Sequence, residues 1–352
     1  MDSAPLSPDV ALDIPVIDIA PFLSGGDRAV ARTWDAAMRE YGFVLVSGHG
    51  IPEPLLNGIY DRAQDFFARL VDEKMKACFG DMLSGQGYLP LGNETVGRAR
   101  DAASRPDLCE SLTFSGTPDN PRANLWPDIP GFRETVESYM RAAEALARHL
   151  MRLSAAALEL PQSYFDPFFT AMTSDLRCVL YPDQPDAPEE GQLRYGPHTD
   201  FSGFTILRQD DAPGGLEVQT RDGWIPVRPV PGTLVVNAGD LIQRWTNDRW
   251  VSNVHRVVNP PLKSPLRSSL ARGPATTTSP ANASHAGEEG HGQAEASTRR
   301  LSIVLFTGPN LDAVIETLPT CGQPKYPPVI TGDHVAQRVA ATYGNLAKKR
   351  TP

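Results

Sequence analysis

The sequence predicts a mainly β protein with flanking helices: a β-sandwich or barrel core that follows an N-terminal helical region and precedes a C-terminal helix. Three observations carry that expectation. Residues 176–260 break into short runs rich in β-branched and aromatic residues, punctuated by Gly, Pro, Asp and Asn, as in a sandwich or barrel. Residues 27–160 hold three stretches whose apolar residues recur at helical spacing. A composition break at 263–298 then separates a last strand-like run, "RLSIVLF", from those before it.

Taken in order, residues 1–11 are polar and Pro-rich and read as a disordered arm. "IPVIDIAPF" (14–22) alternates and reads as a short strand. "DRAVARTWDAAMREYG" reads as a helix capped by Asp27 and ended by Gly42, with "FVLVS" as a buried strand after it. Residues 53–75 read as one helix with Phe66, Phe67 and Leu70 on one face. Residues 80–130 are rich in Gly, Pro, Asn and Asp, so irregular loops are expected there, with a short strand near "ESLTFS". Over 132–160 the positions Val136, Met140, Ala143, Leu146, Leu150 and Leu153 make one helical stripe, which Pro161 ends. The strand-like runs are "RCVLY", "GFTILRQ", "GLEVQT", "GWIPVRP", "GTLVVN", "SNVHRVV" and "RLSIVLF". Trp224, Trp245 and Trp250 read as strand and hairpin packing, and residues 333–348 as a closing helix. The segment 263–298 has no aromatic residue and only Leu266 and Leu270 as large aliphatics. It cannot offset its ordering entropy and reads as disordered.

Composition narrows the function. The chain has 352 residues, 41% of them hydrophobic and 21% charged, which suits a globular domain with a sizeable core. No apolar run approaches ~18 residues, so no membrane helix is expected. A net charge of −9 without a basic stripe argues against nucleic acid as a partner. Cys78, Cys109, Cys178 and Cys321 are widely spaced and read as reduced thiols, and the N-terminus lacks a signal-peptide pattern. A cytoplasmic monomer acting on a small molecule is the expectation.

The chemistry concentrates in "RYGPHTDFSGFT" (194–205). On an extended segment His198 and Asp200 share a face while Thr199 points away. An imidazole nitrogen and a carboxylate oxygen side by side are two legs of a metal site. A second His completes the facial triad of non-haem Fe(II) oxygenases, which leaves positions open for substrates and O2. His255, on "SNVHRVV", can supply it. The pair alone is a weak signal, since chance supplies about one His-x-carboxylate in a chain of this composition. His255 alone reads more readily as a packed core histidine than as a ligand. His49, His149 and His334 fall in a loop, a long helix and the start of the last helix, and His285 and His291 in the disordered segment. Arg300 and Ser302 are also i, i+2 on one strand. A guanidinium there faces either solvent at the strand edge or an anionic partner inside, and with a hydroxyl beside it the fork suits a carboxylate.

"IPVIDIAPF", "YGFVLVSGHGIP", "DLCESLTF", "LRCVLYP", "GPHTDFSGFTIL", "GWIPVRPVPGTLVVNAGDLIQRWTND", "SNVHRVVNP" and "RRLSIVLFTGPN" stand in one order along most of the chain. In that order they resemble the Fe(II)/2-oxoglutarate-dependent dioxygenases of the isopenicillin N synthase-like group. The resemblance implies a double-stranded β-helix (jelly-roll) core over 172–310, after an N-terminal region at 1–165 and before a C-terminal segment and helix at 311–352. It implies His198, Asp200 and His255 as iron ligands. Arg300 and Ser302 would bind the distal carboxylate of 2-oxoglutarate, and Tyr181 would add a hydrogen bond. Fe(II), 2-oxoglutarate as co-substrate and O2 follow, with ascorbate as an optional stimulant. The implied reaction is hydroxylation or desaturation of a small organic metabolite with release of succinate and CO2. Two departures stand out. Val179 replaces the Asn that many relatives carry two residues before the Tyr. Arg300 lies much farther beyond His255 than in the family, with the disordered segment between, so 263–298 reads as an insertion at a hairpin tip. The sequence leaves two other readings: an iron oxidase of the same fold that does not use 2-oxoglutarate, which the loss of Asn at 179 slightly favours, and a non-catalytic small-molecule binding protein.

Overall fold

Side-chain alternation along the strands decides which residues meet at the site. A computed structural model describes residues 14–79, 85–117, 120–121, 123–184, 186–261 and 297–347. The arm at 1–11 lies outside the described residues, as does the segment 263–298 apart from Ser297 and Thr298.

In chain order the elements are β1 (Val16–Asp18), α1 (Ala20–Gly25), α2 (Arg28–Glu40), β2 (Phe43–Ser47), α3 (Glu53–Phe67), α4 (Val71–Met75), β3 (Gly87–Leu89), β4 (Glu110–Thr117), β5 (Asn120–Pro121) and α5 (Phe132–Ala157). There follow β6 (Thr173–Tyr181), β7 (Tyr195–His198), β8 (Phe204–Gln209), β9 (Gly215–Thr220), β10 (Gly223–Pro226), β11 (Leu234–Ala238), α6 (Asp240–Trp245), β12 (His255–Val258), β13 (Arg300–Gly308), β14 (Val314–Ile315), β15 (Val329–Ile330) and α7 (Thr331–Ala347).

A large sheet runs β1-β2-β11-β8-β13-β6-β4-β3, with β5 paired to β4, and a smaller sheet runs β10-β9-β12-β7. Alternation gives the large sheet two different faces. Val44, Val46, Leu176, Cys178, Ile206, Val236, Ile303 and Leu305 point outward and are covered by Trp34, Met38, Ile59, Phe66, Tyr139 and Leu150 of α2, α3 and α5. The intervening residues point inward. Phe43, Leu45 and Val235 close on Leu216, Val218 and Ile225 of the small sheet, and Val179 and Tyr181 close on Val257. The result is a jelly-roll core with helices over one outer face. The first 165 residues add strands at both ends of the large sheet, β1 and β2 beyond β11, and β4 and β3 beyond β6.

Several local expectations need correction. β1 stops at Asp18, whose Oδ1 accepts from the Ala20 N–H at 3.0 Å, and Pro21 then starts the short α1. The helical reading of 53–75 splits in two. Leu70 takes an extended ψ of 150°, caps α4 and is 79% exposed, so it does not share the buried face of Phe66 and Phe67. α5 ends at Ala157, earlier than Pro161, because Glu159 turns to φ +60°. The loops of 80–130 contain β3 and a 3-10 turn at Val96–Ala99 besides β4. Trp245 ends α6 and packs among Phe165, Phe168 and Phe169, so it is a helix residue. Trp250 lies in the loop after α6 and donates its Nε1–H to Asp35. Gly42 does end α2: its φ is +63°, and a Cβ there would sit 2.0 Å from the Val251 carbonyl oxygen.

Candidate metal centre

His198 ends β7 and His255 opens β12, and the two are cross-strand partners in register. Asp200 lies two residues past His198, just beyond the end of the strand. One oxygen, Asp200 Oδ1, stands 3.8 Å from His198 Nε2 and 3.7 Å from His255 Nε2. An ion held at about 2.1 Å from each donor spans atom pairs up to about 4.2 Å apart, so these separations fit a single metal. Among the described residues this is the one cluster of three His, Cys, Asp or Glu side chains whose ligand atoms lie within 4.8 Å of one another.

The surroundings prepare each donor atom. His198 Nδ1 lies 2.9 Å from the Gly196 carbonyl oxygen and His255 Nδ1 lies 3.1 Å from that of Asn253. A carbonyl only accepts, so each Nδ1 carries a hydrogen toward it and each Nε2 is left facing Asp200. Asp200 Oδ2 is held away from the histidines by two donors at 2.6 Å, the Thr205 hydroxyl and the Asn237 amide. Thr205 and Asn237 are themselves register partners on β8 and β11. Burial alone would raise the Asp200 carboxyl. The two imidazoles and the two donors outweigh it and hold the group below the usual carboxylate range. Burial and the facing His255 push His198 down, which keeps it neutral and ready to bind metal.

The triad opens on an inner cavity of about 60 Å3 between the two sheets, and Tyr181, Arg300 and Ser302 line the same cavity. The β6–β13 register brings the three together by placing Arg300 opposite Tyr181 and Ser302 opposite Val179. Arg300 is 2% exposed, which rules out the solvent-edge reading. Its guanidinium donates to the Asp210 and Ala212 carbonyls and to Gln209 Oε1, while Nε has no hydrogen-bond partner. All six side chains singled out in the sequence therefore meet in one cavity. Val179 lines it too, so no polar atom at that position takes the place of the missing Asn.

A wider chamber of about 290 Å3 adjoins the triad. Its walls are Gln86, Thr113, Arg177, Tyr195, Phe201 and Phe306, with Val335 and Val339 from α7. Tyr195 packs edge-on against His198, and its hydroxyl lies between Arg177 and Glu94. α7 is tied to the ligand loop by Arg338, which donates to the Thr199 hydroxyl at 2.9 Å and pairs with Asp240 at 2.6 Å. Thr205, Asn237, Arg177 and Tyr195 were not singled out from the sequence. Only Asn237 carried a signal, as an amide closing the apolar run "LVV".

Comparison with known proteins defines the class. The 2OG-Fe(II) oxygenase superfamily matches residues 172–272, and the N-terminal region of non-haem dioxygenases in morphine synthesis matches residues 14–129. The chain belongs to the 2-oxoglutarate–Fe(II) oxygenases and is an oxidoreductase that uses Fe(II), 2-oxoglutarate and O2 to oxidise a small organic metabolite. Among its relatives, the 2-oxoglutarate-Fe(II) type oxidoreductase hxnY of Emericella nidulans is 31% identical over 94% of this chain and 90% of its own. Homoarginine-6-hydroxylase 2-ODD-233 of Oryza sativa subsp. japonica is also 31% identical, over 94% and 97%. The crystal structure of a full-length Neurospora crassa protein in complex with alpha-KG and thymine superposes with a TM-score of 0.75 at 29% identity, covering 96% of this chain and 99% of that one.

Proposed function

We propose that His198, Asp200 and His255 hold the catalytic Fe(II), and that Arg300, Ser302 and Tyr181 hold the distal carboxylate of 2-oxoglutarate. The observation that carries this is the shared cavity: three donor atoms prepared for a metal and a buried guanidinium open onto the same space. When bound, iron with 2-oxoglutarate and O2 supplies oxidative decarboxylation to succinate and CO2, coupled to two-electron oxidation of the substrate. The chain's own contribution is placement. Hydrogen-bonded pairing of β7 with β12 and of β6 with β13 holds the two groups of side chains in place, and the small cavity limits the bulk water that reaches the reacting groups.

The substrate is a small organic metabolite bound in the 290 Å3 chamber, near the lower end of the ~300–1,000 Å3 typical of small-molecule sites. The Neurospora crassa protein bound to thymine and a relative named for homoarginine support that size class. Hydroxylation and desaturation both fit the site. The iron-oxidase alternative draws support only from Val179; the Arg300–Ser302 pair does not separate the two readings, and relatives with bound alpha-KG favour 2-oxoglutarate.

The division into an N-terminal region (1–165), a core (172–310) and a C-terminal segment (311–352) belongs to the same proposal, as does action as a cytoplasmic monomer. No helix among the described residues is long and apolar enough to cross a membrane, and all four cysteines are free thiols. A metabolite panel scored for stimulated succinate release with Fe(II) and 2-oxoglutarate tests the function. Oxygen uptake without consumption of 2-oxoglutarate contradicts it.

A further inference from the structure

One buried cation takes no direct part in the metal centre or the inner cavity. Arg194 directly precedes β7 and is 0% exposed. Its Nη1 donates to the Pro213 carbonyl at 2.8 Å and its Nη2 to the Thr298 carbonyl. The guanidinium lies over the Tyr181 ring, 6.0 Å from the centroid, and its Nε has no hydrogen-bond partner. Arg194 is not among the residues that line the inner cavity, so it stands behind Tyr181.

Those three contacts reach one wall of the cavity that Arg300 faces and two segments that adjoin Arg300 itself. Tyr181 is that wall. Thr298 sits two residues ahead of Arg300, and its N–H, with that of Arg299, donates to Asp183 Oδ1, so the start of β13 is clamped between Asp183 and Arg194. Pro213 follows Ala212, whose carbonyl accepts from Arg300. Arg194 and Arg300 are both buried, and among the described residues each donates its hydrogen bonds to carbonyl or amide oxygens. The carboxylate of Asp183 acts on Arg194, and those of Asp210 and Asp211 act on Arg300, as opposite charges without a hydrogen bond to the guanidinium. Burial and the neighbouring Arg300 push Arg194 down to about 10. Two buried like charges that hydrogen-bond to no carboxylate are costly to fold, and an anion placed beside Tyr181 lowers that cost.

We propose that Arg194 is a positioning residue for 2-oxoglutarate: it fixes Tyr181 and the start of β13 and adds a second positive charge behind the phenol, so that the cavity selects a co-substrate with a distal carboxylate. This rests on the proposed role of Arg300, Ser302 and Tyr181. The test measures binding calorimetrically to anaerobic Fe(II)-loaded protein for wild type, Arg194→Met and Arg194→Lys. Two ligands are compared: 2-oxoglutarate, and 2-oxopentanoate, the same five-carbon 2-oxo acid with a methyl group in place of the distal carboxylate. Fe(II) affinity is titrated separately.

The expected result for Arg194→Met is about tenfold weaker 2-oxoglutarate binding, with 2-oxopentanoate and Fe(II) affinities moving by less than about twofold. Arg194→Lys keeps the charge but loses the fork, and its expected loss for 2-oxoglutarate is about threefold. A merely structural role loosens the whole cavity, so equal weakening of both acids overturns the proposal, as does unchanged 2-oxoglutarate affinity. If Arg194→Met does not fold, Arg194→Lys decides by the same comparison. If wild type itself shows no preference for 2-oxoglutarate over 2-oxopentanoate, the co-substrate reading fails and this proposal falls with it.

Discussion

Thr205→Val isolates the anchoring of the Asp200 carboxylate. Valine keeps the shape and β-branching that suit β8 and removes only the hydroxyl. That hydroxyl donates to Asp200 Oδ2 at 2.6 Å, and the Asn237 amide donates to the same oxygen at 2.6 Å. A hydrogen bond to a charged group contributes about 1.5–3 kcal/mol, which corresponds to roughly 10- to 100-fold in affinity if the bond serves to aim Oδ1 at the metal. Asn237 still holds Oδ2 in the variant, so the lower end applies, and about tenfold weaker Fe(II) binding is expected. Anaerobic Fe(II) titration of the two proteins is the assay. An affinity within about twofold of wild type would refute the reasoning, because the carboxylate would then be oriented without this bond.

The remaining predictions concern the triad, the co-substrate and the scaffold. Asp200→Ala and His255→Ala each remove one of three donors from an open site. Both are expected to lose Fe(II) binding and turnover while keeping a cooperative melt, checked by metal titration and calorimetry. Arg300→Lys is expected to raise the KM for 2-oxoglutarate by more than it changes Fe(II) affinity, because lysine cannot make the fork contacts seen to Asp210, Ala212 and Gln209. Leu150→Ala empties a fully buried position under the large sheet and is expected to cost about 2–5 kcal/mol in denaturant unfolding, with the site's affinities unchanged in the folded fraction. Asp27→Ala removes the cap that accepts from the Ala29 N–H at 2.7 Å, and about 1 kcal/mol of stability should go with it.

How much of this was legible in the sequence depends on how local each signal is. Alternation made the strand faces readable, and the i, i+2 logic put Arg300 beside Ser302 correctly because β13 is regular. The same logic brought His198 and Asp200 together even though the strand ends between them, and their donor atoms lie 3.8 Å apart. Cross-strand partnership is not local. That His255 faces His198, and that Asn237 and Thr205 converge on one carboxylate oxygen, depends on register between segments far apart in the chain. Leu70 fits a helical stripe by spacing, but one extended ψ turns it outward, and no apolar pattern reports that. α6 spans only six residues, too short to show a period among the surrounding strands. Arg194 opens the motif itself, yet an arginine ahead of a short strand looks the same whether it faces solvent or the core. Only the packing of Pro213, Thr298 and Tyr181 around it tells the two apart.

The most direct test of the central claim is the balance of 2-oxoglutarate consumed against succinate formed, with Fe(II), O2 and a stimulating metabolite, in wild type and Asp200→Ala. One succinate for each 2-oxoglutarate in wild type, and none in the variant, is the expected result. Substrate oxidation that proceeds without 2-oxoglutarate, or succinate formation that survives in Asp200→Ala, would contradict it.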